Sequence, residues 1–206
     1  MAQVLHLDSS PRGDRSISRA LTKTFVSTWK EAHPEDKIVY RDLGHYPVPH
    51  VDEGWIAASF TPPEYLTLDL SANIQDSDAL IDEVLAADYY VLGVPMYNFS
   101  IPSTLKAYID QIVRVNRTFS VGEQGYEGLV KHKKMVVVSA RGGSYPAGTP
   151  MGQYDFQEPY LRSIFGMIGI TDITFIHAEN LNMGEEARQQ SVTTAQAAIQ
   201  RTIASW

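Results

Sequence analysis

In the stretch SSPRGDRSIS near the start of the chain, Ser9, Ser10, Ser16 and Ser18 fall close together with Arg12, Gly13 and Arg15. Hydroxyls and cations at that density suit an oxyanion, which needs several short hydrogen bonds and positive charge around it. The stretch follows the apolar run Val4 to Leu7 and precedes Ile17, Leu21, Phe25 and Trp29, spaced by fours along one helix face. It therefore joins a strand to a helix start, where free backbone N–H groups and the positive end of the helix dipole favour an anion. Ser10, Ser16 and Ser18 would add hydroxyl donors. Capping of the helix by Ser16 is the plainer reading, but it accounts for one serine only. The loop matches neither G-x-x-x-x-G-K-[ST] nor G-x-G-x-x-G, which disfavours a nucleoside triphosphatase and a Rossmann dinucleotide site and leaves a monophosphate.

A second stretch, GVPMYNFSIPSTLKAYID, brackets Met96-Tyr97-Asn98-Phe99 between Pro95 and Pro102. Proline fixes φ, so this loop is stiff. Stiff backbone with large side chains can lie along a flat ring and offer N–H groups to its edge, which is what an isoalloxazine needs; the monophosphate then fits that of FMN. The alternative is an ordinary turn with Ser103 capping the next helix. A third stretch, SARGGSYPAGTP, holds Gly142 and Gly143, which let backbone approach a ligand, and Arg141, whose charge would favour a flavin reduced to an anion at N1 and O2. Its plainer reading is a glycine-rich turn. The six histidines show no metal-ligand spacing and no pairing with a nucleophile, so no metal and no catalytic side chain are expected.

Five apolar runs must position these loops: Val4 to Leu7, Ile38 to Tyr40, Tyr89 to Val94, Met135 to Val138 and Ile173 to Ile176. Between them, Ile17 to Trp29, Ala79 to Ala87, Thr104 to Val115, Tyr160 to Ile168 and Glu185 to Ile203 have helical spacing. Alternation of strand and helix predicts an α/β fold, a five-stranded parallel sheet with helices on both faces and right-handed crossovers. The flavodoxin-like three-layer sandwich, order 2-1-3-4-5, suits it, and ligands bind there beyond strands one and three. The connection from Leu43 to about Ala72, with Trp55, Phe60 and Tyr65, is too long for a crossover. It reads as a surface loop pinned by its aromatics, or equally as a site wall or dimer contact.

The 206 residues predict one domain, 1–206. Cysteine is absent, which excludes disulfides, a thiolate nucleophile and cysteine-ligated clusters. No export signal and no membrane-length apolar run is read, so a soluble cytoplasmic protein is expected. With net charge −7 and scattered basic residues, nucleic-acid binding is not expected.

Ser9-Ser10 with Ser16-Ile17-Ser18, Pro95-Met96-Tyr97-Asn98-Phe99 and Arg141-Gly142-Gly143 together resemble the FMN-dependent NADH-azoreductases, a quinone-reductase family of flavodoxin-like fold. EGLVKHKKMVVV and YLRSIFGMIGITDITFIHAE resemble that family too, so the likeness spans the chain. The Pro-Met-Tyr-Asn-Phe run is its most specific element. The resemblance implies one non-covalent FMN per subunit and a homodimer with active sites at the subunit interface. It implies that Ser10, Ser16, Ile17 and Ser18 surround the phosphate and ribityl chain. Met96, Tyr97, Asn98 and Phe99 would line the ring, and Ala140, Arg141, Gly142 and Gly143 would border its pyrimidine end. Tyr145, Phe119 and Phe60 are the candidate substrate-binding groups. The residues Pro11-Arg12 and Asp14-Arg15 depart from the family's usual first loop.

The expected reaction is a ping-pong relay in which NADH gives hydride to N5 of FMN and a quinone or azo compound then takes it, so the chemistry is the cofactor's. Two other classes share part of this pattern. A flavodoxin-type electron carrier would share fold and FMN but is usually smaller and lacks a place for NADH. A flavin-free phosphate- or sugar-binding protein would have no use for Pro95 to Phe99.

Overall fold

The structure is a computed structural model describing residues 1–206. In chain order its elements are β1 (Gln3–Asp8), α1 (Ile17–Ala32), β2 (Lys37–Asp42), α2 (Glu53–Phe60), α3 (Leu68–Ala72), α4 (Gln75–Ala86), β3 (Tyr89–Pro95), α5 (Ser103–Ile112), β4 (Phe119–Gly122), β5 (Gly125–Gly128), β6 (Lys134–Ala140), α6 (Glu158–Met167), β7 (Asp172–Ala178) and α7 (Glu185–Ser205).

Alternate residues of each central strand enter opposite apolar layers, as a pleated strand covered on both faces requires. Val4, Val91, Val136 and Val138 pack with Leu21, Phe25 and Trp29 of α1 and Ala195 and Ile199 of α7. Leu5, Leu7, Tyr90, Leu92, Met135 and Val137 pack with Leu80 and Ile81 of α4, Leu105 and Ile109 of α5, and Leu161 and Phe165 of α6. The sheet is parallel throughout, in the order β2-β1-β3-β6-β7. Counting only these five strands, that is the flavodoxin-like order 2-1-3-4-5 expected above. No helix is long and apolar enough to cross a membrane.

Three local expectations change. The connection after Leu43 is not a bare loop: Asp52 caps α2 by accepting the Trp55 N–H at 2.8 Å, and Thr67 caps α3 in the same way. Its prolines obscured two short helices that each start at a good capping residue. Ser103 is not a cap; α5 starts with it, Pro102 takes the capping position, and no side chain caps the end. The segment after α5 forms an antiparallel hairpin, β4 with β5, in which Glu123 and Gln124 join the glycines Gly122 and Gly125. Strands of four residues bounded by glycine carry too little alternation to be read in advance.

Gly93 in β3 shows how closely the first and third strands meet. A Cβ there would lie 2.2 Å from Asp8 Oδ1, although the backbone conformation is ordinary. Gly93→Ala should therefore destabilise the protein by about 1–3 kcal/mol through overpacking, read as a lower thermal midpoint; an unchanged midpoint would mean that Asp8 can move aside.

Candidate active site

The loops beyond the carboxyl ends of β1, β3, β6 and β7 meet around a cleft of about 320 Å³. Ser10, Arg12, Ser16 and Ile17 line it from the first loop, Pro95, Met96 and Tyr97 from the second, and Ala140, Arg141 and Gly142 from the third. Leu181, Asn182 and Arg188 close it from the segment after β7 and the first turn of α7. A larger groove of about 640 Å³ lies on the α1 side of β1 and β2 and shares only Ser16 with the cleft. It flanks the edge strand instead of opening at the point where strand order reverses, so the smaller cleft is the candidate site.

Backbone hydrogen bonds sew the loops together. Ser9 N and Oγ both donate to Gly93 O, Met96 N donates to Ala140 O at 2.9 Å, and Arg141 N donates to Ala178 O at 2.8 Å. Leu181 N and Asn182 N donate to Arg141 O and Gly142 O, each at 3.1 Å. The turn between the prolines is closed by reciprocal bonds between Tyr97 and Ser100. Its central residues Asn98 and Phe99 have φ of +47° and +68°. Left-handed backbone at a bulky phenylalanine is held only where the surroundings over-determine it. Here Phe99 stacks on Tyr154 at 5.1 Å and meets Tyr145 edge-on, while its carbonyl accepts from Phe156 N.

At the first loop Ser16 is indeed the N-cap of α1, accepting the Arg19 N–H at 3.4 Å. The amides of Ile17 and Ser18 donate to nothing within the chain. Ser10, Ser16 and Ser18 are buried beside them, and Arg12 and Arg188 form no ion pair there. Free donors, hydroxyls and two uncompensated cations form a cup for a dianion. A phosphate fits these residues.

Arg141 takes a different place from the one its charge suggested. Its side chain is buried, donating from Nε to Gln157 at 3.2 Å and from Nη1 to Asp155 at 2.9 Å, with Glu179 at 3.6 Å. Two carboxylates already balance the charge, so what remains to offer is the Nη2 group, buried and without a partner. Gly142 is likewise committed: a Cβ there would sit 2.5 Å from Asn182 Nδ2, so the glycine admits Asn182.

The cleft thus gathers Ser10, Ser16, Ile17, Met96, Tyr97, Ala140, Arg141 and Gly142, while Ser18, Asn98, Phe99 and Gly143 stand behind or beside its wall. Tyr145 lines an adjoining cavity with Arg141, His177 and Glu179. Phe60 in α2 is 75% exposed, away from the cleft. Phe119 belongs to the hairpin, whose Gly128 packs against Gly169 ahead of β7, at the other end of the sheet. Leu181, Asn182 and Arg188 were missed. The strand-end rule extended to the last strand would have found the first two, but nothing in the sequence marks Arg188.

Fold and cleft together define a flavodoxin-like protein with an anion cup beside a rigid aromatic turn. A family model described as flavodoxin-like fold matches residues 2–203. An FMN-dependent NADH:quinone oxidoreductase of Trichormus variabilis is 63% identical, and one of Nostoc punctiforme 64% identical, each over the whole of both chains. The crystal structure of an azoreductase from Bacillus anthracis str. Sterne superposes with TM-score 0.91 at 28% identity over all of both chains. An FMN-dependent NADH-azoreductase from Bacillus anthracis str. Ames Ancestor, in complex with FMN, matches with TM-score 0.87 at 26% identity, covering 98% of this chain and 100% of its own. The chain belongs to this family of flavodoxin-like oxidoreductases, as its three loops led one to expect, and is an enzyme.

Behind the third loop, His177 Nδ1 meets Ser139 Oγ at 2.6 Å and Nε2 meets Glu158 Oε2 at 2.8 Å. Burial, and then the nearby Arg141 charge, push its pKa below the ordinary histidine value, against the pull of Glu158. The unfolded chain, with a pKa of about 6.5, then binds the proton more readily, so the stability tied to His177 is full above that value and is lost as pH falls through the folded pKa. His177→Gln should flatten the fall of the thermal midpoint between roughly pH 7 and pH 5; equal slopes in both proteins would show that other groups cause it.

Proposed function

We propose that this chain is an FMN-dependent NADH:quinone oxidoreductase with azoreductase activity. The observation that carries the reading is the cup at the start of α1, with its unpartnered Ile17 and Ser18 amides, set directly beside the rigid Pro95 to Phe99 turn. When bound, FMN supplies reversible hydride chemistry at N5, receiving from NADH and delivering to a quinone or azo compound in ping-pong order.

The chain's own residues bind and orient. Ser10, Ser16, Ile17 and Ser18 hold the phosphate and ribityl chain, and Arg12 and Arg188 neutralise it. Met96, Tyr97, Asn98 and Phe99 form and brace the wall for the ring. Ala140 to Gly143 border its pyrimidine edge, with the Arg141 side chain bracing that loop through Asp155 and Gln157. We assign no catalytic side chain, so the protein's part is to bind and position.

We read residues 1–206 as one such domain, since both apolar layers cover a single sheet. We further propose a cytoplasmic homodimer. Tyr46, Ile56, Phe60, Tyr65 and Leu68 are large apolar side chains left exposed in the segment between β2 and α4, and a second subunit would cover them. Phe60 and Phe119 can serve as substrate-stacking groups only across such an interface, whereas Tyr145 stands next to the cleft of its own subunit.

Two measurements test this. The purified protein should be yellow, bleach with anaerobic NADH and regain its colour with a quinone; colourless protein that takes up no FMN would overturn the reading. Ile17→Pro removes one amide at the first helical position, where proline is tolerated and where the preceding Ser16 is already extended. It should weaken FMN binding about 10- to 100-fold, the worth of one hydrogen bond to a charged group, and unchanged affinity would place the phosphate elsewhere.

A further inference from the structure

One cation near the cup does not touch the cleft at all. Arg19, in the first turn of α1, lies behind the loop and spends its guanidinium on three different segments. Nε donates to Ser10 O at 2.7 Å, and Nη1 donates to Tyr40 Oη at 2.9 Å and to Asp42 Oδ2 at 2.8 Å. Nη2 bonds Asp42 Oδ1, making the pair bidentate, and lies 3.3 Å from His45 Nδ1. Asp8 stands 3.9 Å away. Burial opposes the Arg19 charge, but the bond to Asp42 and the fields of Tyr40, Asp8 and Asp42 outweigh it and raise its pKa.

With Asp42 bonded to it and Asp8 close by, the Arg19 charge is already balanced by carboxylates, so Arg19 is not a free cation for the cleft. What it does is hold one carbonyl. Ser10 O is gripped on one side by Arg19 Nε and closed in on another by Gly44, where a Cβ would lie 2.2 Å from that oxygen. Gly44 in turn is tied to β1, its amide donating to Asp8 O at 3.2 Å. The carbonyl is the negative end of the Ser10–Pro11 peptide. Freed, it could swing toward the cup and repel the group the cup is built for.

We propose that Arg19 is a positioning residue for phosphate recognition. It fixes the spacing between the exit of β1, which carries Ser10, and the first turn of α1, which carries the free amides, and it keeps the Ser10 carbonyl turned away from the cleft. This rests on the FMN reading above. Because the effect passes through the phosphate cup, it concerns ligands that bear a phosphate and spares those that lack one.

Flavin-stripped protein titrated with FMN and with riboflavin, followed by flavin fluorescence, tests this. In Arg19→Met the FMN dissociation constant should rise at least tenfold while that of riboflavin stays within about twofold, so that the preference for the phosphorylated flavin shrinks. Arg19→Lys retains one donor and the charge, and should fall between the two; it decides the matter if the methionine variant fails to fold. Equal weakening toward both flavins would show a general structural role, and unchanged FMN affinity in both variants would show no role; either overturns the proposal. Failure of the unsubstituted protein to take up FMN would instead overturn the functional reading.

Discussion

The helices that follow β1 and β3 lie on opposite faces of the sheet, and the site exists because of it. α1 packs in the layer with α7, and α5 in the layer with α4 and α6. Neighbouring parallel strands whose chains depart to opposite sides leave a crevice beyond their carboxyl ends. The groups that line the cleft sit on the loops that leave that edge, or on the strand ends and helix starts beside them. The pairing that sets the crevice, β1 on β3, is close enough that Gly93 faces Asp8 with no room for a methyl group.

Charge follows the same logic. The chain carries seven more acidic than basic residues, yet most of its buried or half-buried arginines are spoken for. Arg19 pairs with Asp42, Arg41 with Glu83, Arg114 and Arg117 with Asp78, and Arg141 with Asp155. Arg12 and Arg188 at the cleft are not. A local positive field thus survives in an acidic protein, because desolvated pairs cancel while an exposed, unpaired cation does not. Arg141 shows the converse: a residue chosen for its charge turns out to brace the loop before α6, to which Asp155 and Gln157 belong.

Rigidity is distributed in the same selective way. The cup is held by Ser16 capping and by the Arg19 bond to Ser10, and the turn between the prolines by two residues in left-handed backbone with aromatic stacking behind them. A cofactor that supplies the chemistry asks its protein for position, and position is written in turns, caps and prolines, which are local and readable.

What the sequence by itself determined is what depends on neighbours along the chain. The strand runs, the amphipathic face of α1, the cap at Ser16 and the stiff turn from Pro95 follow from side-chain periodicity and backbone restriction over a few residues, and the parallel sheet covered on both faces followed from the alternation of strand and helix, with 2-1-3-4-5 as an order that suits five strands. The short helices α2 and α3 and the hairpin were hidden because their signals are brief and mixed with proline and glycine. Tertiary structure alone decided which side chains converge. Leu181, Asn182 and Arg188 reach the cleft, and Phe60 and Phe119 do not, because convergence depends on where distant strands end in space. Whether Arg141 keeps a free charge depends on Asp155 and Glu179, which no spacing along the chain brings to mind.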